Sequence, residues 1–101
     1  MMILIEAFFS GIFLFNGLPH LVQGICGNRH MTPFNKKSRS VTNVIWAWVN
    51  LLIGGLLANN IGLQFWQGSI LVVFCVGGFL TSIILSIFWS NPDAKLPWHR
   101  E

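Results

Sequence analysis

Three long apolar blocks, residues 3–24, 41–59 and 68–89, constrain this chain more than any other feature, and only one charged residue, Glu6, lies inside them. Each has close to the roughly 20 residues needed to cross the hydrocarbon core of a bilayer. Backbone N–H and C=O groups in hydrocarbon must be satisfied within the segment, so runs of this kind become helices. A water-soluble alternative lacks the polar surface to cover itself: the chain is 53% hydrophobic and 9% charged, against about a quarter charged in soluble domains. At 101 residues it makes one domain at most. The fold class expected is all-α, an integral membrane three-helix bundle with a loop at 28–40, a short tail at 91–101 and the lipid bilayer as its first partner.

The first block is interrupted at Asn16-Gly17-Leu18-Pro19-His20. Pro19 has no N–H for the carbonyl of Phe15 and its ring crowds that carbonyl, which predicts a first helix kinked at Pro19. At 100° per residue, Glu6, Ser10, Asn16, Gly17, His20, Gln23 and Gly24 share one side of the helix. That side calls for protein or water; the other, of Ile, Leu and Phe, calls for lipid.

The net charge of +3 does not point to nucleic acid, because Arg29, Lys36, Lys37 and Arg39 sit together in one short loop between spans. Positive charge there orients a membrane protein. The tail carries Lys95 and Arg100 and the connection at 60–67 carries no charge. This asymmetry predicts an N-terminus outside, with the basic loop and the C-terminus on the cytoplasmic side of an inner membrane. Trp46, Trp48, Trp66 and Trp89 fall near span ends, where indoles favour the interface, and Trp98 is expected against the headgroups. The N-terminus has neither a basic leader region nor a small-residue cleavage site, so the first span is expected to be kept. Cys26 and Cys75 are read as apolar thiols.

Depth decides which polar groups can meet. With each block centred on its midpoint, Asn50 lies near the midplane and Asn16 and Ser82 about 5 Å to one side. His20, Asn43 and Ser86 follow at about 11 Å. Asn16 with His20, Asn43 with Asn50, and Ser82 with Ser86 each share a helix face. Two readings stay open: interhelical hydrogen bonding, or a ligand or ion pathway lined by Asn16, His20, Asn43, Asn50, Ser82 and Ser86. His20, with its ordinary pKa near neutrality, is the natural proton carrier of the set. Glu6 faces Leu57, Ala58, Leu71 and Val72 at its own depth. It is expected to reach the headgroups, to be protonated or to meet another subunit.

Small residues recur at intervals of about four, as Gly78, Ser82, Ser86 and Ser90 in the third block and as Asn43, Ala47, Asn50, Gly54 and Ala58 in the second. Such stripes let helix backbones approach closely, and they point to a homo-oligomer or to docking on a larger membrane protein. Ser40 or Thr42 is placed to cap the second helix, and the third should stop at Asn91-Pro92.

Chemistry is sparse. His20, Cys26 and His30 do not have the spacing of a closed zinc site, neither cysteine has a base placed for it, and Gly54-Gly55 and Gly77-Gly78 lie inside spans rather than in a phosphate loop. No catalytic residue, metal or cofactor is expected, and an integral membrane enzyme has little to stand on.

Asn16, Pro19-His20, Gly24 and Gly27, then Thr32-Pro33-Phe34, then Thr42-Asn43-Val44 before Trp46, together resemble a pattern carried by small uncharacterised bacterial membrane proteins of about this length. The resemblance covers about a third of the chain and implies a bacterial inner-membrane protein, with no activity attached. The function expected is binding or conducting a small solute, ion or proton. The alternative is an accessory or scaffolding subunit.

Overall fold

The computed structural model describes residues 2–99; Arg100, one of the two tail cations, therefore lies outside the described residues. Helices occupy the three apolar blocks: α1 at Met2–Ile25, α2 at Ser40–Ile61 and α3 at Ser69–Ser90, all long and apolar enough to cross a membrane. α1 runs through Pro19 as one helix. Between α1 and α2 the chain forms an antiparallel hairpin, β1 (His30–Thr32) and β2 (Asn35–Ser38), which pairs His30 with Ser38 and Thr32 with Asn35. A single helical turn, Leu63–Phe65, connects α2 to α3 at the opposite end.

The helix ends follow from local chemistry. α1 closes with Gly27 at φ 77°, its N–H on the Gly24 carbonyl at 3.0 Å and the Asn28 N–H on the Gln23 carbonyl at 2.9 Å. These are the two reversed bonds of a glycine-terminated helix, and they depend on a residue that tolerates positive φ. α3 ends before Pro92, with Asn91 extended at ψ 117°. At the start of α2 neither Ser40 nor Thr42 caps the helix. Arg39 takes the capping position with extended backbone and no side-chain bond, and the Asn43 N–H meets its carbonyl at 3.1 Å.

α1 is the middle helix. It packs along both α2 and α3, which have little contact with each other. Its buried residues, Ala7, Ser10, Gly11, Gly17, His20 and Gly24, are almost all small; Ser10, Gly17, His20 and Gly24 face α2, whose buried residues are Asn43, Ala47, Asn50, Gly54 and Ile61, and Gly11 faces α3. Ser10, Gly17 and Gly24 are seven apart, as are Ala47, Gly54 and Ile61, so the seam keeps to the repeat that holds two helices face to face. The approach is close: a methyl group on Gly24 would lie 2.8 Å from the Ser40 carbonyl, and one on Gly54 2.7 Å from the Leu14 side chain. Against α3, a methyl on Gly11 would overlap the Phe74 carbonyl, and one on Gly78 would lie 2.6 Å from the Phe15 ring. Large apolar side chains such as Ile5, Val22, Leu56 and Ile87 are exposed around the outside, as a lipid-facing surface requires.

Within one copy, the residues of the α3 stripe divide between two faces. Gly78 is buried against α1, but Ser82, Ser86 and Ser90 are exposed. Ser82 and Ser90 bond their own helix, at the carbonyls of Gly78 and Ser86 (2.8 and 2.6 Å). The reason is angular: four residues turn a helix by about 400°, so each step of four drifts about 40° and Ser90 lies about 120° from Gly78. Leu85 and Trp89 stay within about 20° of Gly78 by the same arithmetic, and these reach the bundle instead. Glu6 also differs from expectation. α2 continues to Ile61, and Asn60 in its last turn donates a hydrogen bond to the Glu6 carboxylate.

Candidate functional site

The polar groups of α1 divide into those fully engaged between helices and those with capacity left. Ser10 donates to the Gly54 carbonyl at 2.8 Å. Asn16 Nδ2 donates to Asn50 Oδ1 at 3.0 Å, and Asn50 Nδ2 donates to the Trp46 carbonyl at 2.9 Å. Because Asn50 points its nitrogen at a carbonyl, its oxygen faces Asn16, and Asn16 must present nitrogen in return. Asn16 Oδ1 is left over.

One layer nearer the hairpin the same logic runs through Asn43, which is fully buried. Its Nδ2 meets three backbone carbonyls, of His30 at 2.9 Å, Arg39 at 3.1 Å and Ser38 at 3.2 Å. Its Oδ1 therefore faces His20 Nδ1, at 2.8 Å. An amide oxygen only accepts, so His20 carries its proton on Nδ1 and, when neutral, a lone pair on Nε2. Among the described residues no donor reaches either His20 Nε2 or Asn16 Oδ1.

Both residues line a cavity of about 170 Å³ at the hairpin end of the bundle. Trp46 of α2, Leu85, Phe88 and Trp89 of α3, and Met31, Thr32 and Pro33 of the hairpin form its other walls. Leu96 of the tail completes it, and the tail is tied down: His99 Nδ1 accepts the Leu96 N–H at 3.1 Å and its Nε2–H donates to the Thr32 carbonyl at 2.8 Å. Trp98, expected against headgroups, donates its indole N–H to the Pro33 carbonyl.

Beside the cavity the rings of His20, His30 and Trp89 pack edge to face, with centroids 5.2 Å apart for the two histidines and 4.2 Å for His30 and Trp89. Among the described residues, His30 Nε2 and Trp89 Nε1 are buried without partners. Burial, and after it the neighbouring His20, hold the His30 imidazole below its ordinary pKa.

Of the six pathway residues named from sequence, Asn16 and His20 line the cavity and Asn43 and Asn50 stand behind them as their partners, whereas Ser82 and Ser86 face outward. Within the metal set considered above, His20 and His30 come together and Cys26 is exposed at the end of α1. Trp46 and Trp89, read as interface anchors, are walls of the site, and Phe34 stacks on Trp46 at 5.4 Å. His20 of the Pro-His pair and Thr32 and Pro33 of Thr-Pro-Phe thus converge on one end of the molecule. Compared with known proteins, the chain matches no protein-family model, no curated protein and no solved structure.

Proposed function

We propose that the protein is a membrane-embedded binding protein that holds a small, ring-sized molecule with a hydrogen-bond donor, such as a phenol, in the cavity at the hairpin end. The observation that carries this reading is that the polar capacity left on α1 after interhelical bonding, His20 Nε2 and Asn16 Oδ1, belongs to the cavity lining and consists of acceptors. Apart from Thr32, whose hydroxyl is bonded to that of Ser38, the remaining walls are aromatic or apolar, as small-molecule sites require around a few placed polar groups. A volume near 170 Å³ is close to that of cavities of about 150 Å³ that take up a benzene ring. Ser10, Asn50 and Asn43 are engaged in bonds between helices, which favours binding in the cavity over conduction along a polar layer.

The test is to titrate 4-fluorophenol or fluorobenzene into the full chain in lipid nanodiscs while following the tryptophan indole N–H resonances. Shifts confined to Trp46 and Trp89, with phenol binding roughly fivefold tighter than fluorobenzene for one added hydrogen bond, support the reading, and His20→Ala should abolish that preference. Equal shifts at Trp48 and Trp66, or none at Trp46 and Trp89, overturn it.

Self-assembly, or docking on a larger membrane protein, is a second reading favoured by the outward position of Ser82, Ser86 and Ser90 on α3. A defined homo-oligomer in mild detergent supports the first and a monomer that co-purifies with a larger protein supports the second. The charge asymmetry and the Pro-His to Thr-Pro-Phe resemblance support a bacterial inner membrane, with the hairpin and tail cytoplasmic.

A further inference from the structure

A second cavity, of about 230 Å³, opens at the same end of the molecule and shares Met31 and Trp89 with the first, but its chemistry is different. Arg29, Lys36 and Lys37 of the hairpin region line it, together with Asn91 just beyond α3. Arg29 is held in place, one guanidinium N–H donating to the Lys37 carbonyl at 3.0 Å, which leaves the rest of its fork free. No carboxylate among the described residues belongs to the lining. Among the described residues, Glu6 sits at the opposite end with Asn60, and the exposed Asp93 lies in the tail between the lining residues Pro92 and Ala94. Three cations around one cavity with no carboxylate among its described lining residues form a receptor for an anion, and Arg and Lys together suit a phosphate.

Position selects the source of that phosphate. α1 has ended at Ile25 and α3 ends at Ser90, so the cavity lies at the level where lipid headgroups begin. In the last two turns of those helices Val22, Ile25, Ile84 and Ile87 are exposed, an apolar surface suited to acyl chains. Basic pockets at the ends of spanning helices hold anionic headgroups by this combination. We propose that Arg29, Lys36 and Lys37 form a binding site for the phosphate of an anionic phospholipid.

The experiment uses the full chain in mild neutral detergent, with short-chain phosphatidylglycerol, short-chain phosphatidylcholine and glycerol phosphate as probes and bound species counted by native mass spectrometry. Phosphatidylglycerol should bind at least about tenfold tighter than phosphatidylcholine, and Lys36→Gln and Lys37→Gln should each weaken it about fivefold. Lys36→Arg should retain binding. Arg39→Gln removes the same charge from the same end but outside the cavity, and should change affinity by less than about twofold. Equal losses for Arg39→Gln and Lys36→Gln would mean diffuse attraction rather than a site and would overturn the proposal, as would equal binding of the two lipids. Glycerol phosphate binding as tightly as phosphatidylglycerol would assign the cations to a free phosphate ester and overturn the lipid assignment.

Discussion

Asn43 turns its side-chain oxygen, not its nitrogen, toward His20, at 2.8 Å, because three backbone carbonyls at the base of the hairpin surround the nitrogen. One side chain thereby joins α1, the hairpin and the start of α2, and fixes which nitrogen of His20 carries the proton.

Removing that junction leaves His20 Nδ1–H and the carbonyls without their partner. Asn43→Ala should destabilise the protein by about 1–3 kcal/mol, the cost of leaving buried polar groups unmet. Asn59→Ala, on the same helix but exposed, should be neutral. Midpoints of detergent-induced unfolding followed by circular dichroism measure both, and equal midpoints would count against the junction.

Neighbouring glycines of α2 give a sharper comparison. A methyl at Gly54 meets the Leu14 backbone nitrogen at 3.0 Å as well as its side chain, whereas one at Gly55 meets nothing within 4 Å. Gly54→Ala should therefore cost about 1–3 kcal/mol through overpacking, and Gly55→Ala should be neutral or stabilise by up to about 1 kcal/mol through helix propensity. The same unfolding assay decides, and a reversed order would contradict the seam described for α1 and α2.

Acid should weaken the hairpin end. With its folded pKa depressed below 6.5 by burial and by His20, His30 takes up its proton more readily in the unfolded chain. Its contribution to stability is complete above the unfolded value and is lost as pH falls from there through the folded one. Unfolding midpoints should drop as pH falls through 6.5 and below, and His30→Gln should flatten that slope. An unchanged slope in the variant would remove His30 as its cause.

Orientation is open to labelling. In a background with Cys26 and Cys75 replaced by serine, Gln64→Cys should react with an impermeant thiol reagent in intact cells. Lys37→Cys should react only after permeabilisation, because the short-loop positive charge lies at the hairpin end. The opposite pattern inverts the proposed orientation.

The sequence carried the helices and half of the site. Long apolar runs leave the backbone no alternative to helix; depth matched His20 to Asn43 and put Asn16 within about 5 Å of the level of Asn50. Depth ignores angle, however. Asn43, Ala47, Asn50 and Gly54 alternate steps of four and three and so remain on one face, whereas Gly78, Ser82, Ser86 and Ser90 advance only by fours and wind away from α1. The hairpin was hidden for a different reason: His30–Thr32 and Asn35–Ser38 are too short and too polar to show a strand period. They are held by contacts from far along the chain, including His99 on Thr32. Trp89 read as an interface anchor because its indole depth fits that role, and only its packing against His30 and His20 reveals the other one.

α2 and α3 both pack on α1 but hardly meet each other, so the helices of one copy do not close into a ring. A continuous aqueous tube needs an enclosing wall on every side, and one copy of this chain supplies only part of it. Ion or solute flux would therefore require a second chain to complete the enclosure, and flux would vary with the density of protein in the membrane as a power greater than one. Occupancy of the cavity by a single molecule needs no second copy and would stay proportional to the number of chains.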